Sequence, residues 1–195
     1  NGCDGSSSLG CFVDYLGSDM GVVITDLNGD GLADVFKGRD HSGSVQTGAW
    51  RNNGWANFLL DRIDFSLGGR LSIDYQKSTS LGNTGNDNRT DLDFNLWLVL
   101  NITKDNGVPG VHNVISSAIY NFSDGLYDYR AREFRGFNFA EEKIANKITK
   151  HWFHQDVARI GREYKTEILD NQTNPYQTID KKFDYAQQSS GYYIV

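Results

Sequence analysis

Residues 114–134 read VISSAIYNFSDGLYDYRAREF, and the class of the fold turns on them. Val114 to Phe122 and Tyr127 to Phe134 are rich in β-branched and aromatic residues, which fit a pleated, half-buried surface. Between them lies Ser123-Asp124-Gly125. An Asp-Gly pair between two β-prone runs predicts a hairpin turn, because both central positions accept positive φ. Working outward, Arg70 to Gln76 alternates Leu71, Ile73 and Tyr75, the period of two that marks a strand with one apolar face. Phe94 to Ile102 is the most apolar run. Gly21 to Thr25, Val35-Phe36, Ala49 to Asn53, Phe58 to Ile63, Phe137 to Lys147, Glu163 to Asp170 and Thr178 to Tyr185 read as further strands, spaced at roughly 8–12 residues as in all-β domains. Asp156 to Tyr164 predicts a short helix, and the Ala/Glu/Lys content of Ala140 to Ala145 leaves a helical turn open there. Thr79 to Asp91 is polar and reads as a mobile loop. The sum is an all-β chain.

A chain of 195 residues makes one large domain or two small ones. Gly68-Gly69 marks the expected boundary, dividing residues 1–67 from residues 68–195. The 21 glycines, two prolines and 13% aromatic content suit short strands joined by tight turns. A net charge of −6 with interspersed signs argues against a nucleic-acid groove and against an anionic membrane surface. The apolar run around Leu96 to Leu100 is too short to span a bilayer. The first residue is Asn1 and the one methionine is Met20, so the sequence reads as a piece of a longer protein. Cys3 and Cys11 are the two cysteines, either bonded around a small loop or free.

The clearest chemical motif is Asp26-Leu27-Asn28-Gly29-Asp30-Gly31-Leu32-Ala33-Asp34. Oxygen side chains stand at the first, third, fifth and ninth places of this loop. Calcium is a hard cation that takes six to eight oxygens, and alternate residues of a curled loop point toward its centre. Asp26, Asn28, Asp30 and Asp34, with the Leu32 carbonyl, are the expected ligands, and Gly31 permits the sharp bend. An EF-hand needs a bidentate Glu at the twelfth place, where Lys37 stands. The flanks are β-prone, so the expected arrangement is strand, loop, strand. The bland alternative is a plain Asn-Gly/Asp-Gly turn.

Catalytic patterns are weak. His151 and His154 flank Trp152-Phe153, and on a strand two residues three apart face opposite sides. His41 beside Asp40 and Ser42 is mere adjacency, which says nothing of a triad. Glu141-Glu142 and the pair Asp61/Asp64 offer carboxylates, but such pairs are most often solvated charges. The expectation is a chain that is not an enzyme.

Two resemblances follow from these residues. Val23 to Phe36, followed by Trp50-Arg51-Asn52-Asn53-Gly54, resembles one FG-GAP or VCBS repeat. In that family such repeats form β-propeller blades, and the aspartates of the loop bind calcium. The run from Tyr120 to Phe139, with Tyr127-Asp128 and Arg132-Glu133-Phe134-Arg135-Gly136-Phe137, resembles the shell-forming B components of bacterial insecticidal toxin complexes. It also resembles the Salmonella virulence plasmid protein B type region and the wider Rhs/YD-repeat group. Trp97-Leu98-Val99 and Phe153-His154-Gln155-Asp156 lie where that family has similar segments. The resemblance covers residues 20 to 170. It implies a propeller-blade fragment followed by an antiparallel β-meander of shell type, in a secreted bacterial protein whose strands enclose a toxic segment. The partners implied are other segments of a larger toxin-complex or shell protein. This sequence departs in showing one repeat and, at Phe183-Asp184-Tyr185, only a degenerate YD motif. The rival expectation is a calcium-dependent extracellular adhesion or carbohydrate-binding module that displays Trp50 and Trp55.

Overall fold

The computed structural model describes residues 12, 19, 21–38, 47–54, 59–84, 90–189, 191, 193 and 194. Cys3, Cys11, His41 and Trp55 lie outside the described residues, so the readings placed on them stop at the sequence. The chain is all-β and antiparallel. It forms two compact units, Asn1–Leu59 and Leu60–Val195.

The first unit holds a three-stranded antiparallel sheet in the order β1 (Val22–Thr25), β2 (Asp34–Lys37), β3 (Gly48–Trp50). Val23 pairs with Phe36 and Thr25 with Asp34, so the whole Asp26-to-Asp34 motif becomes the β1–β2 connection. The strand-loop-strand expectation holds.

The second unit is an eight-stranded meander in sequence order. Its strands are β4 (Arg62–Asp64), β5 (Arg70–Lys77), β6 (Trp97–Asp105), β7 (Ile115–Asp128), β8 (Glu133–Ile144), β9 (Lys147–Phe153), β10 (Glu163–Asp170) and β11 (Pro175–Asp180). A short ribbon, β12 (Ala186–Gln187) with β13 (Tyr193–Ile194), follows. Gly68-Gly69, expected to divide the chain, instead falls in the β4–β5 turn, where Phe65 N–H donates to the Gly69 carbonyl at 2.8 Å.

Three expectations fail, each for a physical reason. The first is the turn at Asp124-Gly125: β7 runs straight through it with a bulge, and the register shifts between Gly125 and Tyr127. The true turn is Tyr129–Arg132. There the Asp128 carboxylate accepts the N–H groups of Arg130 (2.9 Å) and Ala131 (3.0 Å), and Arg132 takes φ +54°. The second is the short helix at Asp156 to Tyr164. The Asp156 carboxylate takes the N–H groups of Ala158 and Arg159 (both 3.1 Å), as at a helix start, but the backbone makes only i to i+3 turns, Arg159 N–H to the Asp156 carbonyl and Arg162 N–H to the Arg159 carbonyl. Gly161 at φ +72° then turns the chain into β10. The helical turn left open at Ala140 to Ala145 does not form either. β8 continues to Ile144, and Ala145 (φ +50°) begins the turn into β9.

The third is the loop at Thr79 to Asp91, whose described residues are docked. β6 pairs with β7 only from Asn101↔Ile119 to Asp105↔Ile115, which leaves the rest of β7 without a strand on that side. The β5–β6 connection fills the place. Asp124 N–H donates to the Gly82 carbonyl and Tyr127 N–H to the Asp91 carbonyl, both at 2.8 Å. Gly125 N–H donates to Asn83 Oδ1 at 3.0 Å, and the Asn83 amide returns to the Ser78 carbonyl at 2.7 Å. Ser78 Oγ donates to the Phe94 carbonyl and accepts Leu96 N–H, closing the base of the connection. Leu92, 1% exposed, is pressed beneath it. Buried backbone polar groups need partners, and here a loop supplies what a strand would have.

Among the described residues the buried apolar side chains are Leu92, Ile148 and Leu169, a small set for a sheet of this size. Most strand residues are half-buried, β11 is exposed along its whole length, and Ile115 (62%) and Ile119 (47%) stand on one face of β7.

Candidate functional site

The Asp26–Asp34 loop is built from its own carboxylates. Asp26 Oδ1 accepts Asp30 N–H at 3.0 Å and Oδ2 accepts Gly31 N–H at 2.7 Å. Asn28 Oδ1 accepts Asp30 N–H at 3.0 Å, and Asp30 Oδ1 accepts Leu32 N–H at 2.9 Å. Gly29 (φ +69°) and Gly31 (φ +78°) supply the left-handed backbone that this curl requires. Asp34 is fully buried and works differently: one oxygen accepts Leu27 N–H (3.0 Å), the other Asn52 N–H (2.7 Å). It thereby ties the loop to the Trp50-Arg51-Asn52-Asn53-Gly54 segment that the sequence linked to it.

The donor set suits a hard cation in residue type, and Asp26, Asn28 and Asp30 turn toward one another's backbone. The three carboxylates are nonetheless not gathered. Among the described residues no three His, Cys, Asp or Glu side chains lie close enough to hold a metal ion. Each carboxylate oxygen instead has an N–H donor, with Asn28 Nδ2 on Asp30 Oδ2 at 2.9 Å.

The Tyr120-to-Phe139 run forms the β7–β8 hairpin. Arg135 is 4% exposed and donates to Asp128 at 2.9 Å, with Glu133 at 3.5 Å. Phe122, Phe134 and Phe137 pack edge-on or tilted at 5.4 to 5.7 Å. Phe94 and Tyr129 flank Tyr127, and the Tyr129 hydroxyl donates to Asp93. That hydrogen bond, with burial behind it, pushes the Tyr129 hydroxyl up to about 12. The motif therefore clamps the docked β5–β6 connection to the hairpin.

The other candidates are not brought together. His151 Nδ1 lies 2.5 Å from Glu163 Oε1, whereas His154 lies beyond the end of β9 against Tyr164, ring centres 4.6 Å apart. Glu141 faces Lys150 at 3.9 Å, while its neighbour Glu142 pairs across with Tyr120 on the other face. Asp64 is held by Arg62 (2.7 Å) and Arg70 (2.8 Å). Trp50 is half-buried on β3.

Sequence reading missed the node at Glu163. It accepts from Thr166 (2.6 Å) and Lys181 as well as facing His151. Burial pushes its carboxyl up, but the bonds from His151, Lys181 and Thr166 outweigh that and bring it down to about 2. Thr166 at the third place after Glu163 was visible, but His151 and Lys181 reach it only through strand pairing.

Among the described residues no helix is long and apolar enough to cross a membrane. No match is found among curated proteins. Among solved structures, the chain is similar to the crystal structure of TcdB2-TccC3-Cdc42, with 14% identity and a TM-score of 0.57, over 88% of this chain and 12% of that one. It is also similar to TcdB2-TccC3 without its hypervariable C-terminal region (15%, TM-score 0.55, 80% and 11%) and to the Tc holotoxin pore of Photorhabdus luminescens (14%, TM-score 0.52, 80% and 10%). This chain thus spans about a tenth of the length of the structures it matches. Those likenesses carry the fold. The model of the insecticide toxin TcdB middle/N-terminal region matches residues 14–184. The chain belongs to the insecticide toxin TcdB middle/N-terminal region family.

Proposed function

We propose that the chain is a wall segment of a secreted bacterial toxin-complex shell, one that encloses or delivers a toxin. The supporting observation is the second unit itself: eight strands in one layer, with Leu92, Ile148 and Leu169 as the buried apolar side chains among its described residues. An amphipathic sheet reaches independent stability by packing a face on another layer. A sheet this wide and this thinly covered suits a wall whose neighbours are other segments of the same shell. The exposed β11, with unpaired backbone groups along one side, suits continuation of that wall.

Thiol footprinting tests this reading. With Cys3 and Cys11 replaced by serine, single cysteines at Ile115, Ile119 and Tyr176 react readily with a maleimide in the isolated chain. In the longer shell protein, assembled with its toxin-bearing partner, they are protected. Equal reactivity in both states would remove the wall.

The finer part of the proposal concerns the first unit as an FG-GAP/VCBS-type propeller-blade fragment holding Ca²⁺. Asp26, Asn28, Asp30 and the Leu32 carbonyl would hold the ion, with Asp34 as the remaining carboxylate. Support comes from the donor chemistry, from the strand-loop-strand setting and from the curl set by Gly29 and Gly31. The ungathered carboxylates mean that binding redraws the loop's present hydrogen bonds. When bound, the cation supplies charge neutralisation at the loop.

A further inference from the structure

The turn between β9 and β10 carries a cluster that the wall reading leaves unused. His154 closes the turn through its backbone: its N–H donates to the Arg162 carbonyl at 2.9 Å and its carbonyl accepts Gly161 N–H at 3.0 Å. Its ring packs against Tyr164 and meets Phe183 edge-on at 6.2 Å. After β11 the chain turns back across this surface as residues 181–185. A backbone bond from Lys181 N–H to the Tyr164 carbonyl, at 2.8 Å, holds the start of that segment. Side chains hold the rest. The Lys181 ammonium sits on Glu163, the Arg162 guanidinium lies over Phe183 (5.4 Å) and the Arg159 guanidinium over Tyr185 (5.3 Å). Cation–ring contacts at exposed sites are individually weak. Below the segment is a cavity of about 250 Å³ lined in part by His154, Tyr164 and Phe183.

We propose that residues Lys181–Tyr185 are a strap that lifts off the β9–β10 turn when the His154 imidazole takes up a proton. The groups around that imidazole decide the sign. The turn contributes Asp156, 3.7 Å from Nδ1, and Arg159, which already holds Asp156 at 3.0 Å. Strand β10 contributes Tyr164, and the far side of the cavity contributes Asp180, Lys181, Lys182 and Phe183. A neutral ring suits this partly buried place. A charged ring would lose hydration there and stand beside Arg159, while its nearest acid, Asp156, is already engaged by that arginine; Lys181 and Lys182 are paired with Glu163 and Asp184.

Burial, helped by Arg159, lowers the His154 pKa below the ordinary value, against the pull of Asp156. The strap's stability is therefore present above about pH 6.5 and is lost as pH falls through the lowered folded value. His151 faces Glu163 at 2.5 Å instead of this cavity. The Lys181 end stays anchored while Phe183 and Tyr185 release.

The test is the rate of cleavage after Lys182 by a lysine-specific protease, divided by the rate on a free peptide spanning residues 180–187 at the same pH. In the full chain this ratio rises about threefold or more between pH 7.5 and 5.5. His154→Phe keeps a ring without a titrating group and gives a flat ratio, while His151→Gln leaves the rise in place. A flat ratio in the native chain, or an equal rise in His154→Phe, overturns the proposal. If His154→Phe does not fold, Arg159→Gln serves. Removing that cation moves the midpoint to higher pH, and an unmoved midpoint overturns the proposal equally.

Discussion

Asp30-Gly31 and Asp124-Gly125 are the same dipeptide between β-prone flanks, yet one lies in a turn and the other inside a fourteen-residue strand. At the first, the glycine takes the left-handed backbone (φ +78°), and the freed N–H groups go to Asp26 four and five residues back. At the second, the aspartate takes it (φ +55°), and the N–H groups of 124, 125 and 127 go to Gly82, Asn83 and Asp91. The glycine there provides room. A Cβ on Gly125 would sit 2.7 Å from the Phe137 ring and 2.8 Å from Leu92. Asp-Gly therefore permits a sharp bend without dictating one. Where acceptors are local the chain turns, and where another segment supplies them the strand continues.

The sharpest way to break this comparison is to remove the side chain that seats the docked segment. Leu92→Ala is expected to destabilise the second unit by about 2–5 kcal/mol in urea unfolding, as a fully buried leucine does. Leu27→Ala, at an exposed position of the other loop, is expected to stay within about 0.5 kcal/mol. Equal effects would mean that the two sites are held alike.

The glycines separate room from dihedral. Gly125→Ala is expected to cost about 1–3 kcal/mol through overpacking, with Gly125→Asn no better. Gly31→Ala is expected to cost about 1–2 kcal/mol from backbone strain, and Gly31→Asn to recover much of it, because Asn tolerates the left-handed region. Recovery by Asn at both positions, read from thermal melts, would show that Gly125 also serves a dihedral.

Long-range assembly also leaves an acid signature at Glu163. Its carboxyl is held at about 2, so its contribution is complete above the ordinary value of 4.5 and disappears as pH falls toward 2. Stability measured from pH 5 to 2.5 should fall by on the order of 1–2 kcal/mol more in the native chain than in Glu163→Gln. Parallel curves would show that the node contributes nothing.

The smallest expected effect belongs to the local loop. Extracellular calcium sites bind with Kd on the order of 10⁻⁴–10⁻³ M. Removing roughly millimolar calcium should then lower stability by about 0.5–1.5 kcal/mol, a few degrees in Tm. Asp30→Ala should abolish the shift, and a melting curve indifferent to chelator would count against the ion.

The same division explains what the sequence made legible. Strand β5 announced itself by the alternation of Leu71, Ile73 and Tyr75, and β1 and β2 by the β-prone residues around the Asp-rich loop. These are local patterns that local forces honour. The turns at Arg132 and Ala145 were not legible, because each places a residue other than glycine at positive φ, where pairing of the flanking strands imposes it. Nor was the docking of Asn83 and Asp91 on β7, since no spacing within the sequence links residue 83 to residue 125. The strand-loop-strand setting of Asp26, Asn28, Asp30 and Asp34 was legible from their pattern. The clamp that Gly125, Tyr127 and Tyr129 form on the β5–β6 connection lies in a run quoted as a motif, but its role emerged only with the structure.

The most direct test of the wall is a cryo-EM reconstruction of the longer shell protein assembled with its toxin-bearing partner. The account predicts that β11 gains a neighbouring strand along its open side and that at least one face of the eight-stranded sheet is covered by other shell segments. A reconstruction in which β11 remains an unpaired edge and both faces of the sheet stand in solvent would contradict it.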